Sequence, residues 1–238
     1  MTDLKAALRE LVIANRVLAH EGVLDGFGHV SIRHPDDAGR YFMACSRSPE
    51  LVTLDDLIEY RLDGEPIDAH GRAMYVERAI HGAVYEARPD AMAVCHNHAP
   101  SVIPFSVTGA RLRPLIHVAG LIGAEIPVWD IAAESGDTDL LVRTLEQGRS
   151  LARALGQRRV ALMRGHGSVV AGATLPEAVM ASIYLEFNGR LQLGAQQLGE
   201  IRFLSAREAA LCTETMLSPV AVNRAWQYWR ARAGFSGI

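Results

Sequence analysis

The sequence predicts one α/β domain in which helices pack on a mostly antiparallel sheet. Three observations lead there. Segments with apolar residues at helical spacing alternate with short alternating or apolar runs. Compact turn signals, not long linkers, join them. No repeat or low-complexity tract interrupts the 238 residues, a length with ample chain for a buried core.

The elements follow in order. Leu4, Leu8, Leu11, Val12 and Leu18 recur at helical spacing, and Gly22 stands where that helix stops. After the glycine-rich stretch 22–28, His29-Val30-Ser31-Ile32-Arg33 alternates like a strand, with residues 40–44 as its antiparallel partner across Pro35-Asp36-Asp37. A third strand over about Leu57–Leu62 ends in the turn Asp63-Gly64-Glu65-Pro66. Residues 73–87 predict a helix with Val76, Ile80 and Val84 as its apolar stripe and Glu77 and His81 on a neighbouring stripe; Pro89 ends it. Ala91 to Cys95 predicts a short buried strand leading into His96.

Further strands are expected near 102–108 and 126–129, then a helix from about Asp137 to Leu155 closed by Gly156, then paired strands at 159–163 and 168–172. Thr174 with Glu177 and Ser205 with Glu208 carry capping-box signatures, each opening a helix. A last helix runs from Pro219 to about Arg232, so the single domain 1–238 closes with C-terminal helices from about 205 to 232.

Composition narrows the function. Apolar content of 49% and charged content of 21% fit a soluble globular enzyme. The net charge of −3 gives no broad attraction to nucleic acid or to an anionic membrane, although single arginines can still bind small anions. Cys45, Cys95 and Cys212 are widely spaced and odd in number, which argues against a disulfide framework and a zinc ribbon. No signal-peptide pattern opens the chain and no apolar run approaches the roughly 20 residues of a membrane span, so a cytoplasmic setting is expected.

The chemistry concentrates in Cys95-His96-Asn97-His98. Residues two apart on a strand share a face, so His96 and His98 emerge side by side. His166 follows another apolar run inside Gly165-His166-Gly167, where glycines permit unusual backbone angles and close approach. Three imidazoles leave positions open on an ion, the pattern of a catalytic metal site, and Glu77 adds a carboxylate that can ligate or handle a proton. Ser46-Arg47-Ser48 reads equally as a solvated loop or as a carboxylate clamp, since guanidinium binds carboxylate through paired hydrogen bonds. His29 and His117 sit among apolar neighbours, where a hydrogen-bonded core histidine is the default. Tyr184, Trp226 and Trp229 lie on helices, where packing is the default.

Taken in order, these pieces resemble the class II aldolase/adducin family from Leu4 to about Leu193. The matching motifs are the first helix, Gly28-His29-Val30-Ser31-Ile32-Arg33, Glu77-Arg78-Ala79-Ile80-His81, Arg88-Pro89-Asp90, His96-Asn97-His98 and Gly165-His166-Gly167. The resemblance implies a three-layer α/β/α domain with a central, mostly antiparallel sheet, assembled as a homotetramer with sites between subunits. It implies one divalent ion per subunit on His96, His98 and His166, with Glu77 as ligand or proton carrier. Imidazole ligands suit zinc, manganese, cobalt or iron.

Two departures from the phosphosugar aldolases matter. They typically carry Gly-Asn at the place of Gly28-His29, and paired serines at the place of Tyr75-Val76 that help hold a phosphate. With Ser46-Arg47-Ser48 and Pro49-Glu50-Leu51-Val52, the chain is more similar to the decarboxylase branch, which acts on hydroxy-aromatic dicarboxylates and carboxylated 2-hydroxymuconic semialdehydes in aromatic catabolism. On that reading the substrate is a small carboxylated molecule. Arg47 with Ser46 or Ser48 anchors one of its carboxylates, Glu77 handles the proton, and His29 assists. Tyr184 joins the substrate-binding candidates, its subunit of origin left open. The alternatives are a class II aldolase acting on a phosphosugar or hydroxy-oxo acid, and a non-enzymatic adducin-like interaction domain that keeps the fold without the metal.

Overall fold

The computed structural model describes residues 3–235. One sheet holds β1 (His29–Arg33), β2 (Arg40–Ala44), β3 (Leu57–Arg61), β4 (Ala93–Asn97), β5 (Val128–Trp129), β6 (Val160–Met163) and β7 (Gly167–Gly172), in the order β3-β2-β1-β4-β7-β6-β5. Every neighbouring pair is antiparallel except β5 with β6. The mostly antiparallel sheet expected from the sequence is present.

Helices cover both faces, which is why the strands are apolar on both sides instead of alternating apolar with exposed polar residues. Val30, Ile32, Cys95, Leu162 and Val170 join one core with α1 (Leu4–His20), α6 (Leu175–Ala195) and α8 (Pro219–Arg232). Met43, Val94, Met163 and Val169 join a second core with α2 (Arg78–Ala87) and α5 (Leu145–Leu155). Successive strand residues point to opposite cores, as the pleat requires. The helix α6 is buried on most of its circumference because β4 and β7, α1 and α8 all pack on it. On the outer side, α7 (Ala206–Met216) and α8 close the chain. Trp226 Nε1 donates to Glu10 at 2.8 Å and Arg230 to the same carboxylate at 2.9 Å, fastening α8 to α1.

Several boundaries are legible in the chain. Gly22 takes φ +71° just past α1, Gly156 takes φ +53° past α5, and the Ser205–Glu208 box is formed on both sides. At Thr174 the side chain accepts from Glu177 N, opening α6. All three cysteines are free, and none of the described helices is long and apolar enough to cross a membrane.

Three expected elements are corrected. Residues 103–107 form the short helix α3 (Ile103–Val107), not a strand: Pro104 cannot donate to a ladder, and its fixed φ suits a first helical turn. The helix expected over 73–87 begins only at Arg78, leaving Val76 exposed and Glu77 at the helix N-cap with φ −89° and ψ 19°. Tertiary partners claim the preceding residues: Ala73 O accepts from Ser46 N at 2.8 Å, and the Tyr75 hydroxyl donates to Arg47 O. The helix expected from Asp137 starts only at Leu145, because Thr144 and Gln147 form a capping box there. A one-turn α4 (Ala132–Ser135) precedes an irregular stretch in which Leu140 takes φ +65°.

Candidate functional site

The site lies where β4 and β7 run out at one end of the sheet, on the face covered by α2. His29 on β1 pairs with His96 on β4, and His96 pairs with Val169 on β7. His98 follows just beyond the strand. His166 reaches it from the β6–β7 turn: Gly165 takes φ +64° there, and a Cβ on Gly167 would run into Asn97 O. Both glycines of that turn therefore serve the approach of His166 to the pair.

Four side-chain atoms converge. His98 Nε2 stands 3.2 Å from His96 Nε2 and 3.1 Å from His166 Nε2. Glu77 Oε2 stands 3.4 Å from both His96 Nε2 and His166 Nε2. Together Glu77, His96, His98 and His166 make a cluster that could hold a metal ion.

The outer sides of the rings decide what the inner sides offer. His96 Nδ1 faces Ser168 O at 3.1 Å and His166 Nδ1 faces Leu140 O at 3.0 Å; carbonyls only accept, so both Nδ1 atoms carry the proton. His98 Nδ1 lies 3.1 Å from both oxygens of Asp25. Each Nε2 thus turns a lone pair inward. Three lone pairs and a carboxylate facing one another repel unless a cation lies between them. Ligand atoms about 2.0–2.1 Å from a tetrahedral centre are roughly 3.3–3.4 Å apart; four of the separations here are 3.1–3.4 Å, and all four atoms lie within 4.8 Å of one another. The donor set fits a divalent ion, with the outer hydrogen bonds fixing each ring's orientation.

Glu77 responds to positive charge at the cluster. Burial pushes its carboxyl up, but a cationic His96 or His166 ring, as a metal ion would, outweighs burial and holds it well below the usual carboxylate range. Its other oxygen accepts from Val142 N at 2.9 Å. Burial, with the His96 ring beside it, lowers His98 and keeps it neutral. The irregular stretch before α5 supplies both the Leu140 carbonyl and the Val142 amide, so its lack of helix positions the site.

A cavity of about 390 Å³ opens beside the cluster, within the size range of small-molecule sites. His29, Ser46, Arg47, Ser48, Tyr75, Val76, Glu77 and His98 are among its lining residues, and Arg47 is the one arginine or lysine among the described residues that line it. Arg47 Nε donates to Leu51 O at 3.0 Å and lies 3.2 Å from Asp56, with the side chain half exposed. The Tyr75 ring packs on His29, centroids 4.6 Å apart. Tyr184 is not brought here: it lines a separate cavity with His117, Arg224, Tyr228 and Trp229.

The class II aldolase and adducin N-terminal domain model matches residues 9–193. The chain belongs to that family. Within it, the chain is 33% identical to a protein named decarboxylase tropJ from Talaromyces stipitatus, across 97% of this chain and 95% of that one. It is 31% identical to a 3,4-dihydroxyphthalate decarboxylase of Terrabacter sp., across 79% of this chain and 81% of the relative. Among solved structures, L-fuculose 1-phosphate aldolase from Glaciozyma antarctica superposes with a TM-score of 0.80, covering 98% of this chain and 92% of that one at 23% identity. That likeness is one of fold. The class II aldolase-like α/β fold and the likeness to decarboxylases expected from the motifs are thus present.

Residues outside the motif reading also build the site. Asp25 orients His98 and, through an Asx turn, accepts from Phe27 N at 2.8 Å and Gly28 N at 2.9 Å. Its only sequence signal is a position three residues before Gly28, which turn residues commonly occupy. His81 touches His29 directly, and its i+4 spacing from Glu77 was the available clue.

Proposed function

We propose that the protein is a divalent-metal-dependent decarboxylase of a small hydroxy-aromatic dicarboxylate or a carboxylated 2-hydroxymuconic semialdehyde, serving aromatic catabolism. The observation that carries this reading is the pairing of the four-donor cluster with a cavity lined by Arg47, which stands between two serines. Tyr75 spends its hydroxyl on Arg47 O, and Val76 has none, so the pair of hydroxyls that would hold a sugar phosphate is missing. The relatives named as decarboxylases support the same choice.

His96, His98 and His166, with Glu77, would hold the ion. When bound, a divalent ion supplies Lewis-acid stabilisation of negative charge developing on a substrate oxygen. The chain's own residues do the rest. Arg47, with Ser46 or Ser48, anchors the carboxylate that stays, leaving the other free to depart as carbon dioxide. The broken carbon–carbon bond leaves its electron pair on the substrate, delocalised toward oxygen. A proton from water, given directly or passed through the Glu77 carboxylate, reaches the vacated carbon and completes the exchange. His29 faces the same cavity as an assisting residue. Tyr75, with Met74, Val76 and Leu141, supplies an apolar wall for a ring.

The same reading carries one metal ion per subunit, a homotetramer, a cytoplasmic setting and no nucleic-acid or membrane partner. A role for Tyr184 in substrate binding would come from another subunit, since its own subunit places it in a different cavity.

The test is carbon dioxide release by manganese-loaded protein from ortho-hydroxy aromatic dicarboxylates and carboxylated 2-hydroxymuconic semialdehydes, with a chelator-treated control. Metal-dependent release supports the reading. No release, with pyruvate or dihydroxyacetone phosphate formed from aldol substrates instead, replaces it with aldol cleavage. Purified protein that neither carries metal nor is stabilised by it would favour the non-enzymatic adducin-like role.

A further inference from the structure

A continuous chain of buried hydrogen bonds leads away from the cavity behind His29. His29 Nδ1 lies 2.6 Å from His81 Nε2, His81 Nδ1 lies 2.6 Å from Ser31 Oγ, and Ser31 Oγ lies 2.8 Å from Tyr85 Oη. All four residues are at most 1% exposed. The geometry behind it is simple: His81 and Tyr85 are one helical turn apart on α2, and His29 and Ser31 are two apart on β1. A rise of about 6 Å per four helical residues nearly matches about 6.7 Å per two strand residues, so the rows stay in step.

Each link needs one proton, and the partners decide its direction. Among the described residues the Tyr85 hydroxyl has no other acceptor than Ser31 Oγ, so it donates there. Ser31 must then donate to its remaining partner, His81 Nδ1. Burial pushes His81 down to about 3, so its ring is neutral and its single proton sits on Nε2, directed at His29 Nδ1. His29 Nδ1 accepts that proton's hydrogen bond, so it carries none itself and the ring's proton sits on Nε2. Any other arrangement strands a buried hydroxyl proton without an acceptor.

We infer that Tyr85, Ser31 and His81 are positioning residues that hold His29 in the tautomer with its proton on Nε2, which presents a hydrogen-bond donor to a substrate oxygen in the cavity. The neighbouring His96 and His166 carry the opposite tautomer, Nδ1 protonated and Nε2 free. One cavity therefore meets its ligand with lone pairs for a cation and, from His29, a proton for an oxygen anion such as a carboxylate or a phenolate. His29 is then excluded as a further metal ligand through Nε2. The assignment to substrate rests on the cavity being the substrate site; the proton placement does not.

The test is nitrogen NMR on protein labelled with 15N-histidine, metal-free and zinc-loaded, with the His29 signals assigned from a His29→Asn sample. The expected result is a protonated Nε2 and an unprotonated Nδ1 for His29 in both states. Tyr85→Phe, which removes the terminal donor and little else, should turn His29 into a mixture of tautomers. A wild-type His29 protonated on Nδ1, or a Tyr85→Phe spectrum identical to wild type, overturns the inference. No substrate is used, so an inactive decarboxylase assay and a failed tautomer assignment remain separate results.

Discussion

Asp25 and His98 meet across 73 residues of sequence, with both carboxylate oxygens 3.1 Å from His98 Nδ1. The contact turns His98 Nε2 toward His96 and His166 and places a negative charge behind the ring. Asp25→Asn keeps a side-chain oxygen for the Phe27 and Gly28 amides while removing that charge. The expected outcome is a loss of about 10–100-fold in metal affinity with the fold intact, read by chelator competition. Unchanged affinity would show that Asp25 only shapes its turn.

Arg47 separates anchoring from chemistry. If it holds the carboxylate that stays behind, Arg47→Ala should raise KM by about 10–100-fold, the worth of a charge-assisted hydrogen bond, and leave kcat nearly unchanged. Steady-state kinetics on the substrate found by carbon dioxide release would check it. An equal fall in kcat and kcat/KM would sink the anchoring role.

Gly167 tests how tightly β4 and β7 must approach. A methyl group there meets Asn97 O and lies 3.2 Å from His98 Cα, one on the residue between the His96–His98 pair and the other on a ligand histidine itself. No rotamer relieves that overlap, so Gly167→Ala should cost at least about 1–3 kcal/mol of stability and weaken metal binding together. Thermal melting with and without zinc measures both. A variant as stable as wild type would contradict the close packing.

Acid should destabilise the metal-free protein before its carboxylates titrate. Burial lowers both His29 and His81, the latter to about 3, against an ordinary value of 6.5. Between those values the unfolded chain binds more protons than the folded one. Stability is therefore full above pH 6.5 and falls as pH drops through the window, by up to about 1.4 kcal/mol per pH unit for each such ring. His98, lowered as well, adds to the slope, and His166, raised by Glu77, opposes it. Urea unfolding from pH 7 to 5 tests this, and His81→Gln should flatten the slope.

Much of the architecture was legible because local chemistry and tertiary packing agree. Gly22, Gly156, the Ser205–Glu208 box and the alternation of 29–33 mark boundaries with backbone requirements that hold in isolation. Structure departs from periodicity where tertiary partners override it. Residues 73–77 look helical but are claimed by the 46–48 loop, and 137–144 is held open so that Leu140 and Val142 can serve His166 and Glu77. Pro104 makes the opposite point: a local signal for a helical turn inside a run expected as a strand.

The sequence by itself determined the ligand candidates, because His-x-His at a strand end and Gly-His-Gly in a turn have few other uses in one chain, and it determined the family through ordered motifs. Only the tertiary structure decided how those histidines present themselves. A ring's free nitrogen depends on what its other nitrogen touches, and those partners are carbonyls, a carboxylate and a histidine far away in the chain: Ser168, Leu140, Asp25 and His81. Hydrogen-bond direction is a property of the packed network, so no pattern of residue types along a strand can specify it.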